Sequence, residues 1–528
     1  MREAVALLSV LDLSSARPEP LHRQIYDALR KAILEGRLRP GARLPASRLL
    51  AEDLGVSRNT VTAAFEQLAA EGYVAARVGS GTRVSRLSPE VHLHAERKGA
   101  GARPRSGVKA PPAELSLRGR ALAAIRRSKH TGPIAFQPGV PALAEFPFPL
   151  WARLLSRRAR HTRADSMGYT LTAGFPPLRK AIAAYLGAAR GVLCEHEQVI
   201  VVGGTQAALD LATRMLLDPG DPVWIEEPGY LGARAALTAA GAELVPVPVD
   251  EEGLDVAAAE RARPAARLAY VTPSQQFPLG RTMSLSRRLE LIEWAAREAA
   301  WILEDDYDSE FRYVGRPLAA LHGLDRHGRV VYTGTFSKTM FPALRVGYLV
   351  VPKALVESFT TALRNTGHAV PIAVQAALAD FIGEGHFGSH VRRMRALYAE
   401  RGATLVALLR RDLAGALSIP DATGGMQIAC ELRESRDDVA ISERAAALGV
   451  STSALSQYAL TAEPRRGLHL GFAAVPAGRE MRDAVAHLAA AVLDDRAEGH
   501  PARSPRSAPL RRRKGMTRAT RGGAQFGS

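Results

Sequence analysis

The 528-residue chain contains only two cysteines and no apolar run long enough to cross a bilayer. Cys194 and Cys430 lie far apart and form no CxxC pair, so the sequence indicates neither a disulfide framework nor a zinc site. The N-terminal apolar stretch AVALLSVLDLSS is short and no basic cluster precedes it. We therefore expect no metal, no export signal and no membrane span, and a reducing, cytoplasmic location.

The centre of the chain has no net positive charge, although the formal net charge of the whole chain is +17. Residues 133–495 have a net charge of −2, whereas residues 86–132 and 496–528 each carry +8. Both basic segments are rich in Pro, Gly, Ser and Arg, a composition typical of linkers and flexible arms. We predict a basic flexible linker at 86–132 and a basic disordered tail at 496–528. Solvated disorder and attraction to nucleic-acid phosphates both explain this charge, and the count does not choose between them.

The first 85 residues show the spacing of a helix-turn-helix. Apolar residues recur at helical intervals after Pro20, and that helix should end at Gly36. A second helix is expected from about Ser47 to Leu54, and Ser57 can cap the helix that follows. Beyond it, YVAARVGSGTRV predicts two short strands around a glycine turn, which is the pattern of a β-hairpin wing.

The stretch LPASRLLAEDLGVSRNTVTAAFEQLAAEGY, followed by GSGTRV, resembles the winged helix of GntR-type regulators. The resemblance covers residues 18–85 and implies that a DNA-binding domain at 1–85 contacts operator DNA. It implies a major-groove role for Arg48, Ser57, Arg58, Asn59 and Thr60, and a role on the wing for Arg77, Gly79 and Gly81. Spacing alone does not assign phosphate or base contacts to them.

Strands and helices alternate between residues 133 and 495, which predicts a mostly parallel sheet covered on both faces. In QVIVVGGTQAALDLATRMLL a buried strand ends at Gly203-Gly204 and a helix begins at about Thr205, where free backbone N–H groups favour a phosphate. In AWILEDDYDSEFRY the strand ends in carboxylates, at the sheet edge where such folds bind ligands.

The stretch YTGTFSKTMFPALR places Lys338 just after a strand, close to Thr335, Ser337 and Arg345. A lysine is nucleophilic only when neutral, and an aldehyde cofactor would trap it as a Schiff base. The arginine and the two hydroxyls could hold a phosphate on that cofactor. A fourth stretch, TPSQQFPLG, is a polar loop after the strand RLAYV.

Together these four stretches resemble the fold-type I pyridoxal-phosphate enzymes of the aminotransferase kind. The resemblance implies that Lys338 forms the Schiff base, Asp305 pairs with the ring nitrogen and Tyr307 meets the phenolic oxygen. It implies a phosphate site made of Gly204, Thr205, Gln206, Thr335, Ser337 and Arg345. It further implies that Tyr230 stacks on the ring, that Gln275 belongs to the cofactor loop and that Tyr169 reaches the phosphate of the partner subunit.

An α+β winged helix-turn-helix followed by an α/β fold-type I domain resembles the MocR subfamily of bacterial GntR-type regulators. This resemblance implies a homodimer that binds pyridoxal phosphate and operator DNA. It also implies an effector, either an amine or amino acid or pyridoxal phosphate itself, and nucleoid association when DNA is bound. Two alternatives are an active aminotransferase with a vestigial DNA-binding domain and a regulator that has lost its cofactor.

Two departures from the family pattern concern the ligand. Gln275 and Leu279 stand where relatives usually carry His and Thr. His469, in RRGLHLGFA, occupies the position where aminotransferases often have the arginine that binds a substrate carboxylate, and histidine is a weaker, pH-dependent partner. We therefore expect His469 and Arg466 at the effector site. Either Arg465 or Arg466 substitutes for the missing arginine, or the ligand is not an ordinary α-amino acid.

Overall fold

The computed structural model describes residues 19–77, 81–85, 114–125, 135–161, 168, 171–315, 319–367 and 369–494. The chain divides into two compact units, residues 1–113 and 114–528, which we describe separately. No helix in these described ranges is both long and apolar enough to cross a membrane.

The N-terminal unit is a three-helix bundle followed by a two-stranded hairpin. Its helices and strands are α1 (Leu21–Leu34), α2 (Ser47–Leu54), α3 (Arg58–Ala70), β1 (Val74–Arg77) and β2 (Gly81–Val84). The strands pair antiparallel, with Val74 opposite Val84. Ile25, Leu50 and Phe65 are buried in one core with these two valines. The predicted winged helix is therefore confirmed.

The turn between α2 and α3 is fixed by local backbone chemistry. Gly55 ends α2 in the left-handed conformation with φ +65°, which a residue without a Cβ adopts at little cost. The Ser57 hydroxyl accepts the backbone N–H of Thr60 at 3.1 Å and caps α3. These two residues set where α3 begins and which residues occupy its first turn.

The C-terminal unit contains a large mixed sheet with helices on both faces and a smaller sheet beside it. Up to the end of the large sheet its elements are α4 (Leu117–Ala124), α5 (Phe148–Arg160), α6 (Pro176–Arg190), β3 (Val199–Val202), α7 (Thr205–Leu216), β4 (Pro222–Glu227), α8 (Leu231–Ala240), β5 (Glu243–Asp250), β6 (Gly253–Leu254), α9 (Val256–Ala262), β7 (Leu268–Val271), α10 (Leu285–Arg297), β8 (Trp301–Asp306), α11 (Leu321–Leu324), β9 (Val330–Thr335) and β10 (Gly347–Val350).

The remaining elements are α12 (Val356–Thr366), α13 (Ile372–Gly383), α14 (His386–Leu413), β11 (Leu417–Ser418), β12 (Gln427–Leu432), α15 (Asp438–Ala447), β13 (Ser453–Ala454), β14 (Gly467–Gly471) and α16 (Arg479–Leu493). The large sheet has the order β3-β10-β9-β8-β7-β4-β5-β6, and the small one has the order β11-β12-β14-β13. Strands β9, β8, β7, β4 and β5 run parallel, while β10 is antiparallel to both of its neighbours.

The strands that hold the site are buried on both faces. Every residue of β3, β7 and β9 is buried, as expected for sheet strands covered by helices on both sides. The predicted α/β sheet is confirmed. The carboxyl ends of β7, β8 and β9 lie next to one another because these strands are parallel neighbours.

One helix lies inside the segment that composition predicts to be a flexible linker. Ser116 caps α4 by accepting the N–H of Gly119 at 3.0 Å. Arg118 donates to the carbonyl of Ala239 at 3.4 Å, so α4 packs beside α8. The Ala/Leu content of LRGRALAA is compatible with this helix, although the basic residues around it dominate the composition. The predicted domain boundaries remain predictions.

Candidate functional site

A cavity of about 190 Å³ opens at the carboxyl ends of the parallel strands, beside the N-terminus of α7. It lies at the sheet edge where α/β folds bind ligands. Nine of the residues predicted for the cofactor line it: Thr205, Gln206, Tyr230, Asp305, Tyr307, Thr335, Ser337, Lys338 and Arg345. The sheet thus brings together residues separated by up to 140 positions in the sequence.

Lys338 projects from the segment after β9 towards the loop that contains Gly139. Its amine donates to the Gly139 carbonyl oxygen at 2.8 Å. Gly139 has φ +75°, and a Cβ there would lie 2.6 Å from the lysine Nζ. The positive φ favours glycine at position 139, and a Cβ there would displace the lysine amine from its present position.

Asp305 provides a buried carboxylate in the same cavity. Its Oδ2 accepts the hydroxyl of Tyr270, on the neighbouring strand β7, at 2.8 Å. Its Oδ1 is buried and has no hydrogen-bond partner in the described part of the chain. Burial raises the pKa of Asp305 to about 7, against the lowering effect of Tyr270 and Lys338. A buried carboxylate oxygen without a partner fits a protonated ring nitrogen, which would donate the missing hydrogen bond.

The opposite end of the cavity fits a phosphate. The first N–H groups of α7 are directed to this end, and Gly204 precedes them with φ +89°. Arg345 is a non-glycine residue with φ +52°, and its guanidinium lies 3.8 Å from where a Cβ of Gly204 would be. Such a backbone conformation is retained where a side chain must point in one direction. Thr335 and Ser337 add hydroxyls.

The carboxylates next to Asp305 have other partners. Asp306 accepts Arg190 Nε and the Tyr332 hydroxyl, both at 2.7 Å. Burial alone would raise the pKa of Asp306, but the Arg190 guanidinium holds it below its ordinary value. Glu304 accepts the backbone N–H groups of residues 321 and 322, both at 2.9 Å. Asp305 is therefore the one carboxylate of Glu304–Asp306 that lines the cavity.

Sequence reasoning missed five residues that line the cavity: Tyr270, Thr272, Phe277, Pro342 and Gln427. Phe277 belongs to the loop TPSQQFPLG, and its ring meets that of Tyr230 edge to face, with centroids 5.3 Å apart. Gln427 comes from β12 in the small sheet. The alternation of β7 and the position of the loop after it could have indicated Tyr270 and Phe277. No local signal points to Gln427.

Four of the described residues predicted for the cofactor or effector do not line the cavity. Gly204 is the residue that precedes α7. Gln275 lies in a neighbouring recess of about 20 Å³ beside Asp308. Arg466 donates to the carbonyl of Arg436 at 3.4 Å and lines a surface recess. His469 is fully buried on β14, and its Nδ1 lies 3.3 Å from the Tyr458 hydroxyl. Their predicted ligand-binding roles remain predictions.

In the N-terminal unit, the predicted DNA-contacting residues lie around the start of α3. Arg58 and Asn59 are exposed in its first turn, while the hydroxyls of Ser57 and Thr60 are 2.8 Å apart. The Arg48 side chain is 81% exposed and lies 3.3 Å from Glu52, an ion pair that contributes little at a surface.

The glycine turn of the wing is described only in part. Gly81 is exposed and packs on the guanidinium of Arg43. Gly79, the side chain of Arg77 and, in the C-terminal unit, Tyr169 lie outside the described residues.

These features define a class of protein: a winged-helix DNA-binding unit joined in one chain to a pyridoxal-phosphate-binding unit of the aminotransferase kind. The profile of the family "Bacterial regulatory proteins, gntR family" matches residues 21–84. The profile of "Aminotransferase class I and II" matches residues 140–473. Both units are therefore recognisable by sequence as well as by structure.

Full-length relatives share the same arrangement. The chain is 48% identical over 476 residues to the "Probable rhizopine catabolism regulatory protein MocR" of Rhizobium meliloti, covering 90% of this chain and 94% of that protein. It is 32% identical to the "HTH-type pyridoxine biosynthesis transcriptional regulator PdxR" of Corynebacterium glutamicum, with 87% and 93% covered. The chain belongs to the MocR-type subfamily of GntR transcription regulators.

Solved aminotransferases share the fold of the larger unit. The kynurenine aminotransferase of Pyrococcus horikoshii, solved with PMP, is 26% identical with a TM-score of 0.64, covering 72% of this chain and 95% of that one. LysN, an α-aminoadipate aminotransferase of Thermus thermophilus, is 27% identical with a TM-score of 0.63, covering 71% and 94%. Pyridoxal phosphate is the cofactor of this unit, and the protein is a DNA-binding transcription regulator.

Proposed function

We propose that the protein binds operator DNA through its winged helix and changes that binding when a small ligand enters the cavity beside Lys338. The observation that carries the proposal is the cavity itself. It combines one lysine amine, a buried carboxylate with a free oxygen and a helix N-terminus beside an arginine, in a chain that also has a capped recognition helix. The ligand is an amine or amino acid, or pyridoxal phosphate itself.

Each part of the cavity has a distinct task. Bound pyridoxal phosphate supplies an aldehyde that reacts with amines and a ring that withdraws electrons. Lys338 anchors the cofactor, and the Gly139 carbonyl orients the lysine amine. Asp305 holds a proton on the ring nitrogen, while Tyr270 favours the ionised form of this carboxylate by donating to it. Gly204, Thr205, Gln206, Thr335, Ser337 and Arg345 bind the phosphate, and Tyr230 covers the ring.

A ligand regulates DNA binding only through a difference in affinity. The protein must have at least two arrangements, and the ligand shifts their populations by its ratio of affinities for them. Linkage makes the effect reciprocal, so that operator DNA changes ligand affinity by the same factor. Measuring both couplings on the same operator fragment therefore tests the sensing role.

The proposed working form is a homodimer. Tyr169 of one subunit would contact the cofactor phosphate of the other, and two winged helices would bind two operator half-sites. In each winged helix Arg48, Ser57, Arg58, Asn59 and Thr60 face the major groove, with Arg77, Gly79 and Gly81 on the wing. Such a regulator acts on the nucleoid in the bacterial cytoplasm. The relatives are named for two kinds of target, rhizopine catabolism and pyridoxine biosynthesis.

The proposal is tested by DNA footprinting with cofactor-loaded and cofactor-free protein. We expect a specific footprint upstream of a neighbouring operon, altered by an amine that also changes the visible absorption of the cofactor. Sequence-independent DNA binding in both forms would overturn the proposal. Steady turnover of an amino acid with a keto acid, at roughly 1 per second or faster, would instead support the aminotransferase alternative.

A further inference from the structure

The charge distribution of the cavity bears on which ligand it accepts. Among the described residues that line it, Lys338 and Arg345 are the only cations. Arg345 lies beside Gly204 at the phosphate end, and Lys338 is the reacting amine. The rest of the wall consists of Asp305, Pro342 and uncharged aromatic, hydroxyl and amide side chains, among them Tyr230, Phe277 and Gln427. A ligand carboxylate against that wall would lose water without gaining a counter-charge, which is unfavourable.

His469 does not supply the missing positive charge. Its ring packs edge to face against Phe277 and Tyr458, with centroids 5.1 and 5.6 Å away, and it does not line the cavity. Burial, with a smaller effect of Lys338, lowers the pKa of His469 to about 3, so the imidazole is neutral near pH 7. A neutral imidazole cannot replace an arginine as a carboxylate partner.

The two nearby arginines are also engaged elsewhere. Arg465 is paired with Glu431 at 2.8 Å and donates to the carbonyl of Val249 at 3.3 Å. Arg466 donates to the carbonyl of Arg436. Neither arginine lines the cavity, so neither substitutes for the aminotransferase arginine in this arrangement.

Gln427 offers a different kind of contact. It is 5% exposed and lines the cavity from β12, and its amide group donates to the Tyr307 hydroxyl. The amide oxygen Oε1 is buried and has no partner in the described part of the chain. Buried acceptors are almost always paired with a donor, so this unpaired oxygen on the cavity wall is available to accept a hydrogen bond from a bound ligand.

We propose that the effector is a primary amine without a carboxylate, whose other end carries a neutral hydrogen-bond donor such as a hydroxyl that Gln427 accepts. This inference rests on the proposed function, because it assumes that the cavity beside Lys338 is the effector site. Two features of the cavity select the ligand. The unpaired amide oxygen favours a hydroxyl, and the absence of a free cation on the described wall disfavours a carboxylate.

Serinol and L-serine form a matched pair of probes. Both are three-carbon amines with a hydroxymethyl group, and they differ only in a second hydroxymethyl in place of the carboxylate. Dissociation constants are measured on the cofactor-loaded full chain by calorimetry and by the change in cofactor absorption. We expect serinol to bind at least roughly tenfold more tightly than L-serine, as a correctly paired polar group allows.

The variant Gln427→Leu tests the acceptor. It should reduce the preference for serinol over L-serine by weakening serinol binding, and the part of the preference that comes from the carboxylate should remain. The cofactor absorption in the same sample reports whether the cofactor is retained. If this variant fails to fold, the comparison of serinol with L-serine on the unaltered protein still tests the inference.

Tighter or equal binding of L-serine overturns the inference, and so does binding of neither probe by cofactor-loaded protein. These outcomes differ from failure of the proposed function, in which the chain retains no cofactor and makes no specific footprint on DNA.

Discussion

Replacing Tyr270 with Phe should weaken cofactor binding in a pH-dependent way. The Tyr270 hydroxyl is 2.8 Å from Asp305 Oδ2, and both side chains are buried. Phenylalanine has the same shape without the hydroxyl, so the substitution removes one hydrogen bond without creating a cavity. Because Oδ1 already lacks a partner in the described chain, the carboxylate would have none on either oxygen. Its pKa, already raised to about 7 by burial, should rise further.

The size of the effect follows from the energy of a hydrogen bond to a charged group, about 1.5–3 kcal/mol. Asp305 must be ionised to hold a protonated ring nitrogen. Near pH 7 the Asp305 carboxyl of the variant would be protonated in the cofactor-free protein, and it would lose that proton only when the cofactor binds. One pKa unit corresponds to about 1.36 kcal/mol, so the dissociation constant should rise about 10- to 100-fold near pH 7. Above about pH 9–10 the cofactor-free variant is ionised too, and the ratio of variant to wild-type dissociation constants should approach one.

The assay is a calorimetric titration of cofactor-free protein with pyridoxal phosphate across this pH range. Tyr332→Phe is the matched control: it removes a buried tyrosine hydroxyl 2.7 Å from the adjacent carboxylate Asp306, which keeps its Arg190 partner. The control should leave cofactor affinity nearly unchanged. A Tyr270→Phe effect that stays constant across the pH range, or an equal effect of the control, would refute the reasoning.

Three further predictions address the anchor, the phosphate and the DNA. After borohydride reduction, the Lys338→Ala variant should carry no attached cofactor, as measured by intact mass. The control variant Lys353→Ala, which replaces a surface lysine paired with Glu195, should retain the attached cofactor. Arg345→Gln should weaken the binding of pyridoxal phosphate about 10- to 100-fold, because a charge-assisted contact is lost. The binding of pyridoxal, which lacks the phosphate, should be almost unaffected. Equal losses of affinity for the two compounds would contradict a phosphate role. Arg58→Ala should weaken operator binding by about 1–3 kcal/mol in mobility-shift titrations, and unchanged affinity would remove Arg58 from the interface.

The N-terminal unit was predictable because its signals are local. Gly55 and Ser57 set the end of one helix and the start of the next through backbone groups only a few residues away. Apolar residues at helical spacing then identified the core face. The hairpin followed from a glycine turn between two short apolar strands. None of these inferences requires knowledge of which distant segments meet.

The cavity was predictable only in part, because its walls come from distant segments. Strand ends and a glycine turn indicated Lys338, Asp305 and the start of α7. Gln427 belongs to a separate sheet, 89 residues after Lys338, and no periodicity relates the two. The placement of Arg466 outside the cavity likewise depends on how β14 pairs with its neighbours, which a single sequence does not specify.

Strand alternation explains why one carboxylate of three remains available for a cofactor. Successive side chains of β8 point to opposite faces of the sheet, so Asp305 faces away from Glu304 and Asp306. On the face of Glu304 and Asp306, the backbone N–H groups at the start of α11 bind both oxygens of Glu304, and Arg190 and Tyr332 bind Oδ2 of Asp306. On the other face Tyr270 satisfies only one oxygen of Asp305. Shifting β8 by one residue would exchange these faces and place two carboxylates in the cavity. The pairing of β8 with β7 and β9 therefore determines both the stability of this region and its capacity to hold a ring nitrogen.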